Sequence, residues 1–173
     1  MKTVWYHGGP KLTYLDAIKW DRERGIRDQN AAGPGLYWTL DPREASGYGE
    51  HLYRATTKRG FRFMPAGRPS MLCVGRLFDL APRHRQEQFL ENWPDHSLAD
   101  ALANYTREQT MLDAAVVLYH DLFQYNAAEY VEAMRQIYDG ARVIGSGGQH
   151  GRAGSRGRHL VVWAPDKMII EAV

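Results

Sequence analysis

From Leu98 to Ile137 the residues Leu98, Leu102, Tyr105, Leu112, Val116, Tyr119, Phe123, Tyr130, Met134 and Ile137 recur at helical spacing. A stripe of that period buries one side of each helix and needs an opposing surface, so two or three packed helices are expected here. Tyr138-Asp139-Gly140 ends the run. The aromatic side chains in the stripe read as packing, not as a cofactor-binding box.

Strand-like segments stand on both sides of this helical block. Thr3-Val4-Trp5-Tyr6-His7 reads as a short buried strand stopped by Gly8-Gly9-Pro10, and Leu36-Tyr37-Trp38-Thr39 has the β-branched and aromatic content of another. Met71–Val74 and Arg76–Leu80 read as strands broken at Gly75, and Ala141–Ile144 as a further one. Leu160–Trp163 and Met168–Ile170 close the chain around the turn Ala164-Pro165-Asp166-Lys167. Thr13 with Asp16 resembles a capping box for a helix fading near Gly25. Asp41-Pro42-Arg43-Glu44 is a second helix start, predicting a helix through Tyr48 to about Tyr53. Residues 29–35 are expected as a loop, and residues 58–69 as a loop or edge hairpin. Residues 145–158 hold six glycines, three arginines and no carboxylate, which predicts a mobile, positively charged loop. The expected fold class is α+β, one domain over residues 1–173, with residues 82–136 as a helical insertion between strands.

A chain of 173 residues accommodates one domain and buries enough surface to need no disulfide or metal. The single cysteine, Cys73, excludes an internal disulfide and a cysteine-based zinc site, and suits a reducing compartment. Twenty-two Lys and Arg against 20 Asp and Glu leave a net charge of +2, too little for diffuse attraction to nucleic acid. No run approaches the ~20 apolar residues of a membrane span, and the first residues turn polar too soon for a signal-peptide core. A soluble, cytoplasmic protein without a membrane partner is expected; the oligomeric state is left open.

Familiar phosphate-binding signatures are absent, because the glycines of residues 145–157 match neither a Walker loop nor Gly-x-Gly-x-x-Gly. The seven histidines show no paired metal-ligand spacing, so no metal is expected. One constellation stands out. Tyr6-His7-Gly8-Gly9 ends the first strand, and Gly35-Leu36-Tyr37-Trp38-Thr39 leads through Asp41-Pro42-Arg43-Glu44-Ala45-Ser46-Gly47 to Tyr48, leaving ten residues between Tyr37 and Tyr48. Taken singly, either tyrosine reads as a core residue and His7 as a buried, satisfied histidine.

Together these segments resemble the ADP-ribosyltransferases of the diphtheria-toxin and poly(ADP-ribose) polymerase type, with His-Gly on a first strand and two tyrosines ten residues apart. The order of elements is also similar to small phage and bacterial members, including anti-CRISPR ADP-ribosyltransferases. The resemblance covers both ends of the chain, where Val161–Ile169 looks like the family's last strands. It implies split antiparallel sheets around an NAD cleft. It also implies mono-ADP-ribosyl transfer from NAD, as substrate, to a macromolecule, a protein before a nucleic acid, in the manner of a phage or bacterial effector or toxin. His7, Gly8, Tyr37 and Tyr48 would bind NAD: the tyrosines offer faces to the nicotinamide ring, Gly8 lets backbone approach its amide, and His7 can donate to a ribose hydroxyl.

The family's Glu at the start of the penultimate strand has no counterpart, since the stretch reads Arg156-Gly157-Arg158-His159-Leu160. Gln149 is the first candidate for that contact, His159 the second and Glu171 the third. A neutral hydrogen bond contributes about 0.5–1.5 kcal/mol against about 1.5–3 for a charged one, so Gln in place of Glu weakens ribose positioning about tenfold. An NAD- or ADP-ribose-binding protein without transfer activity is the first alternative. A nucleic-acid-binding module using Arg152, Arg156 and Arg158 is the second.

Overall fold

The computed structural model describes residues 3–12, 33–143 and 159–173. Among these, the strands β1 (Trp5–Gly9), β2 (Leu36–Thr39), β3 (His51–Thr57), β4 (Gly140–Val143), β5 (His159–Val162) and β6 (Met168–Ala172) form one sheet. Their order is β4-β5-β2-β1-β3-β6, and every pairing is antiparallel. The helices are α1 (Pro42–Ser46), α2 (Met71–Leu80), α3 (Arg83–Glu91), α4 (Leu98–Ala103), α5 (Met111–Asp121) and α6 (Ala127–Ile137). The fold is therefore mixed α+β. The expected helix from Thr13 to Gly25, residues 29–32, Ile144 and the loop 145–158 with Gln149 lie outside the described residues.

Period-2 alternation sorts the strand residues onto two faces. Trp5, Leu36, Trp38, Tyr53, Ala55, Leu160, Val162 and Met168 form an apolar cluster on one face. On the other, Ala141, Val161 and Trp163 join the larger core supplied by the helices, with Val74, Leu77, Leu118, Phe123, Tyr130 and Met134 all fully buried. The helices start on local signals. Ser70, Ser97 and Asn126 side chains accept from the amides of Cys73, Asp100 and Glu129, and Thr110 with Asp113 makes a full capping box at α5.

The ladder is uneven. β1 pairs with β3 over five positions and β2 with β5 over four, whereas β1 and β2 register only at Tyr6 opposite Thr39. The six strands thus form one sheet whose two three-stranded halves, β4-β5-β2 and β1-β3-β6, meet along its weakest ladder.

Three expectations are corrected. The strand that should stop at Gly8 continues through Gly9, because both glycines pair with β3. The helix expected to reach Tyr53 ends at Ser46 with Gly47 as its cap, and His51–Thr57 is an inner strand held by β1 and β6. The two strands expected within residues 71–80 are a single helix: Ser70 caps it, and Val74, Leu77 and Phe78 share its buried face at i, i+3 and i+4 spacing. The helical layer accordingly begins at Met71 rather than at residue 82.

Asp139, in the bend between α6 and β4, pins the helical layer to the sheet. Its carboxylate is 1% exposed and accepts from the Arg62 amide (2.7 Å), Arg62 Nη2 (2.7 Å) and Arg62 Nε (3.2 Å). The same guanidinium donates to the carbonyls of Arg135 and Gln136 in the last turn of α6. The Asp139 carbonyl accepts the amides of Trp163 and Ala164 after β5. Burial opposes the carboxylate charge, but the hydrogen bonds and charge of Arg62 outweigh it and hold the group below its ordinary pKa.

Candidate functional site

The junction of the two half-sheets is built around His7 and Gly8. His7 points into the Trp38–Tyr53 face, 3% exposed, with ring centroids 5.3 Å from Trp38 and 6.4 Å from Tyr53. Its Nδ1 lies 2.6 Å from the Tyr37 carbonyl of β2. A carbonyl only accepts, so Nδ1 carries the proton and donates, and a side chain bridges β1 to β2 where the main-chain ladder has one registered pair.

Gly8 faces the opposite way in both senses. The Leu52 carbonyl accepts the amide of Val173, so Leu52 directs its peptide groups toward β6 and away from β1. Leu52 opposes Gly8, and in an antiparallel pair such a position carries no mutual hydrogen bonds. The N–H and C=O of Gly8 therefore point to the β2 side, beyond the Tyr6–Thr39 pair where the registered ladder between the two strands ends. A side chain at Gly8 is excluded: a Cβ there would stand 1.7 Å from the Ala45 carbonyl, because α1 lies directly over it. Gly49 also packs closely on Gly9: a Cβ on Gly49 would come within 2.6 Å of the Gly9 Cα.

By alternation and register Tyr6, Gly8, Tyr37, Thr39 and His159 share the face on which α1 sits. Asp41 caps α1 by accepting the Arg43 amide at 2.9 Å, and Pro42 occupies the first turn. That start turns Glu44 back toward the sheet. Glu44 Oε2 accepts the Thr39 hydroxyl at 2.7 Å, and Glu44 Oε1 lies 2.7 Å from His159 Nε2. The Asp41 amide in turn donates to Thr39 Oγ1 at 3.3 Å. Glu44 and His159 side chains are 33% and 25% exposed, half out of water but open to a ligand.

The candidate residues are distributed as follows. Tyr37 packs its ring against the helical core and donates its hydroxyl to the Gly33 carbonyl at 2.5 Å. Tyr48 follows α1 and is 58% exposed. His159 stands at the first position of β5, opposite Thr39. Glu171 lies on β6, with β2, β1 and β3 between it and β5, and its carboxylate pairs with Arg54 at 2.8 Å on the surface. The structure thus brings His159 to Glu44 of α1, with one strand between it and β1, and leaves Glu171 at the far edge of the sheet. Glu44 was legible only as a helix-start acid; its meeting with His159, 115 positions away, has no sequence signal.

Among the described residues, no three His, Cys, Asp or Glu side chains are grouped to hold a metal ion, and no helix is long and apolar enough to cross a membrane. No family model matches the chain, and comparison with curated proteins finds no match. One solved structure, described as "Crystal structure of an anti-CRISPR protein", is similar over 100% of this chain and 96% of that one, at 13% identity and a TM-score of 0.37. A likeness at that level carries no argument for fold or function.

Proposed function

We propose that the chain binds NAD at the gap between β1 and β2 and transfers its ADP-ribose to a macromolecular target, a protein before a nucleic acid. In this reading the two half-sheets are the split sheets of an ADP-ribosyltransferase. The observation that carries it is the Gly8 peptide: its N–H and C=O face the gap, as a nicotinamide amide requires of a donor and acceptor pair. Tyr37 is on β2, with its ring against the helical core, and Tyr48 follows the helix that lies over Gly8, 58% exposed, so Tyr48 is the tyrosine free to offer its face to a bound nicotinamide. His7, holding the Tyr37 carbonyl, keeps the gap at a fixed width.

A second reading, NAD binding without transfer, draws on the absence of a carboxylate from β5. Release of nicotinamide separates the two.

Tyr48 makes the clean test. Being 58% exposed, it contributes little to folding, whereas His7 and Tyr37 are bound into the sheet. Tyr48→Ala is expected to change stability by less than ~0.5 kcal/mol. Loss of one stacking face, about 1 kcal/mol, weakens NAD binding about fivefold in calorimetry. Wild-type protein that binds no NAD, or wild-type affinity retained in both Tyr48→Ala and Tyr37→Ala, would overturn the assignment. Incubation with labelled NAD and a cell lysate then identifies the acceptor.

A further inference from the structure

The geometry points to a Thr39–Glu44–His159 relay in which His159 Nδ1 is the base that activates an acceptor hydroxyl, and Glu44 is the positioning residue that aims it. The inference rests on the NAD reading above and adds to it the class of acceptor, an alcohol or water rather than a carboxylate.

The relay follows from the contacts. Thr39 receives the Asp41 amide on its oxygen and gives its hydroxyl proton to Glu44 Oε2, so one carboxylate oxygen is held from β2. The other, Oε1, faces His159 Nε2 at 2.7 Å. A carboxylate can only accept, so Nε2 carries a proton, and the neutral form of the ring then has its lone pair on Nδ1. That is the arrangement of an oriented base: a histidine whose tautomer is set by an acid, itself held by a third group. His159 shares its face with Gly8 and Tyr37, and its partner Glu44 belongs to the helix that lies over Gly8, so the relay and the proposed NAD site are on the same side of the sheet.

The step balances without a further reactant. As the bond from ribose C1′ to the nicotinamide nitrogen breaks, its electron pair leaves with neutral nicotinamide. The acceptor oxygen forms the new bond to C1′, and its proton passes to His159 Nδ1. A lone imidazolium would repel the positive charge developing on the sugar. With Glu44 beside it, the protonated pair is net neutral. An acceptor that arrives already ionised, such as an Asp or Glu side chain, would have no proton to give, so a base placed here selects for hydroxyl groups.

The test compares wild type, His159→Ala and the isosteric Glu44→Gln by nicotinamide release into water, with NAD affinity and melting temperature measured alongside. His159→Ala is expected to lower kcat by ~10²-fold or more, as for a lost general base, with NAD affinity retained. Added imidazole should restore part of the rate. Glu44→Gln is expected to lower kcat, again with NAD affinity retained. Protein labelled from NAD should keep its label in neutral hydroxylamine, which cleaves esters of carboxylates. Undiminished kcat in both variants overturns the relay, and so does a loss that imidazole cannot restore and that follows the melting temperature, since the pair would then only brace α1 to β5. Label released by hydroxylamine overturns the acceptor class. Wild type that neither binds nor cleaves NAD refutes the NAD reading itself, an outcome distinct from the others.

Discussion

Asp139→Asn tests whether the bend after α6 holds the helical layer to the sheet. The carboxylate is 1% exposed and takes three hydrogen bonds from Arg62, while Arg62 is 46% exposed and keeps the Arg135 and Gln136 carbonyls as partners. Removing one member of a fully buried pair costs about 3–5 kcal/mol. Because water can reach the guanidinium left behind, the low end applies, about 3 kcal/mol, with the new amide N–H₂ facing a guanidinium that only donates. For a domain of this size that lowers Tm by about 6–12 °C. Urea unfolding at pH 7 reads the same loss as a shifted midpoint at unchanged slope. The pH dependence gives a second check. Asp139 has a folded pKa below its unfolded value of about 3.9, so its contribution is complete above that value and is lost as pH falls from there through the folded pKa. The gap in stability between wild type and Asp139→Asn should therefore be constant near neutrality and narrow below about pH 4. A loss under ~1 kcal/mol at pH 7, or a gap that widens on acidification, would refute the role assigned to this pair.

Two glycines give opposite expectations. Gly8→Ala forces a Cβ to 1.7 Å from the Ala45 carbonyl, a backbone atom that cannot rotate away; α1 must lift, and both NAD affinity and Tm should fall, measured by calorimetry and thermal unfolding. Gly75→Ala, inside α2 with no atom within 4 Å of the added methyl, should instead raise the urea midpoint by about 0.5–1 kcal/mol of stability.

Much of the fold was legible because its signals are local. The apolar stripe from Leu98 to Ile137 became α4, α5 and α6, with Ser97, Thr110 and Asn126 as the caps that start them. β2, β5 and β6 matched short apolar runs bounded by turn residues. The helix start at Asp41-Pro42 was also real, as was the placing of His159 at the head of a strand.

Tertiary pairing decided the rest. A ten-residue apolar run such as Met71–Leu80 fits either period, and it is a helix because Val74, Leu77 and Phe78 have a helical core to face. His51–Thr57 left the helical pattern because open strand edges at β1 and β6 receive it on both sides. Strand order likewise separated Glu171 from His159, and the fold of α1 over Gly8 carried Glu44 to His159 across 115 positions. Caps and periodicities are properties of neighbours along the chain, readable residue by residue. Strand order and the facing of side chains across a gap arise from hydrogen bonds and burial that exist only once distant segments have met.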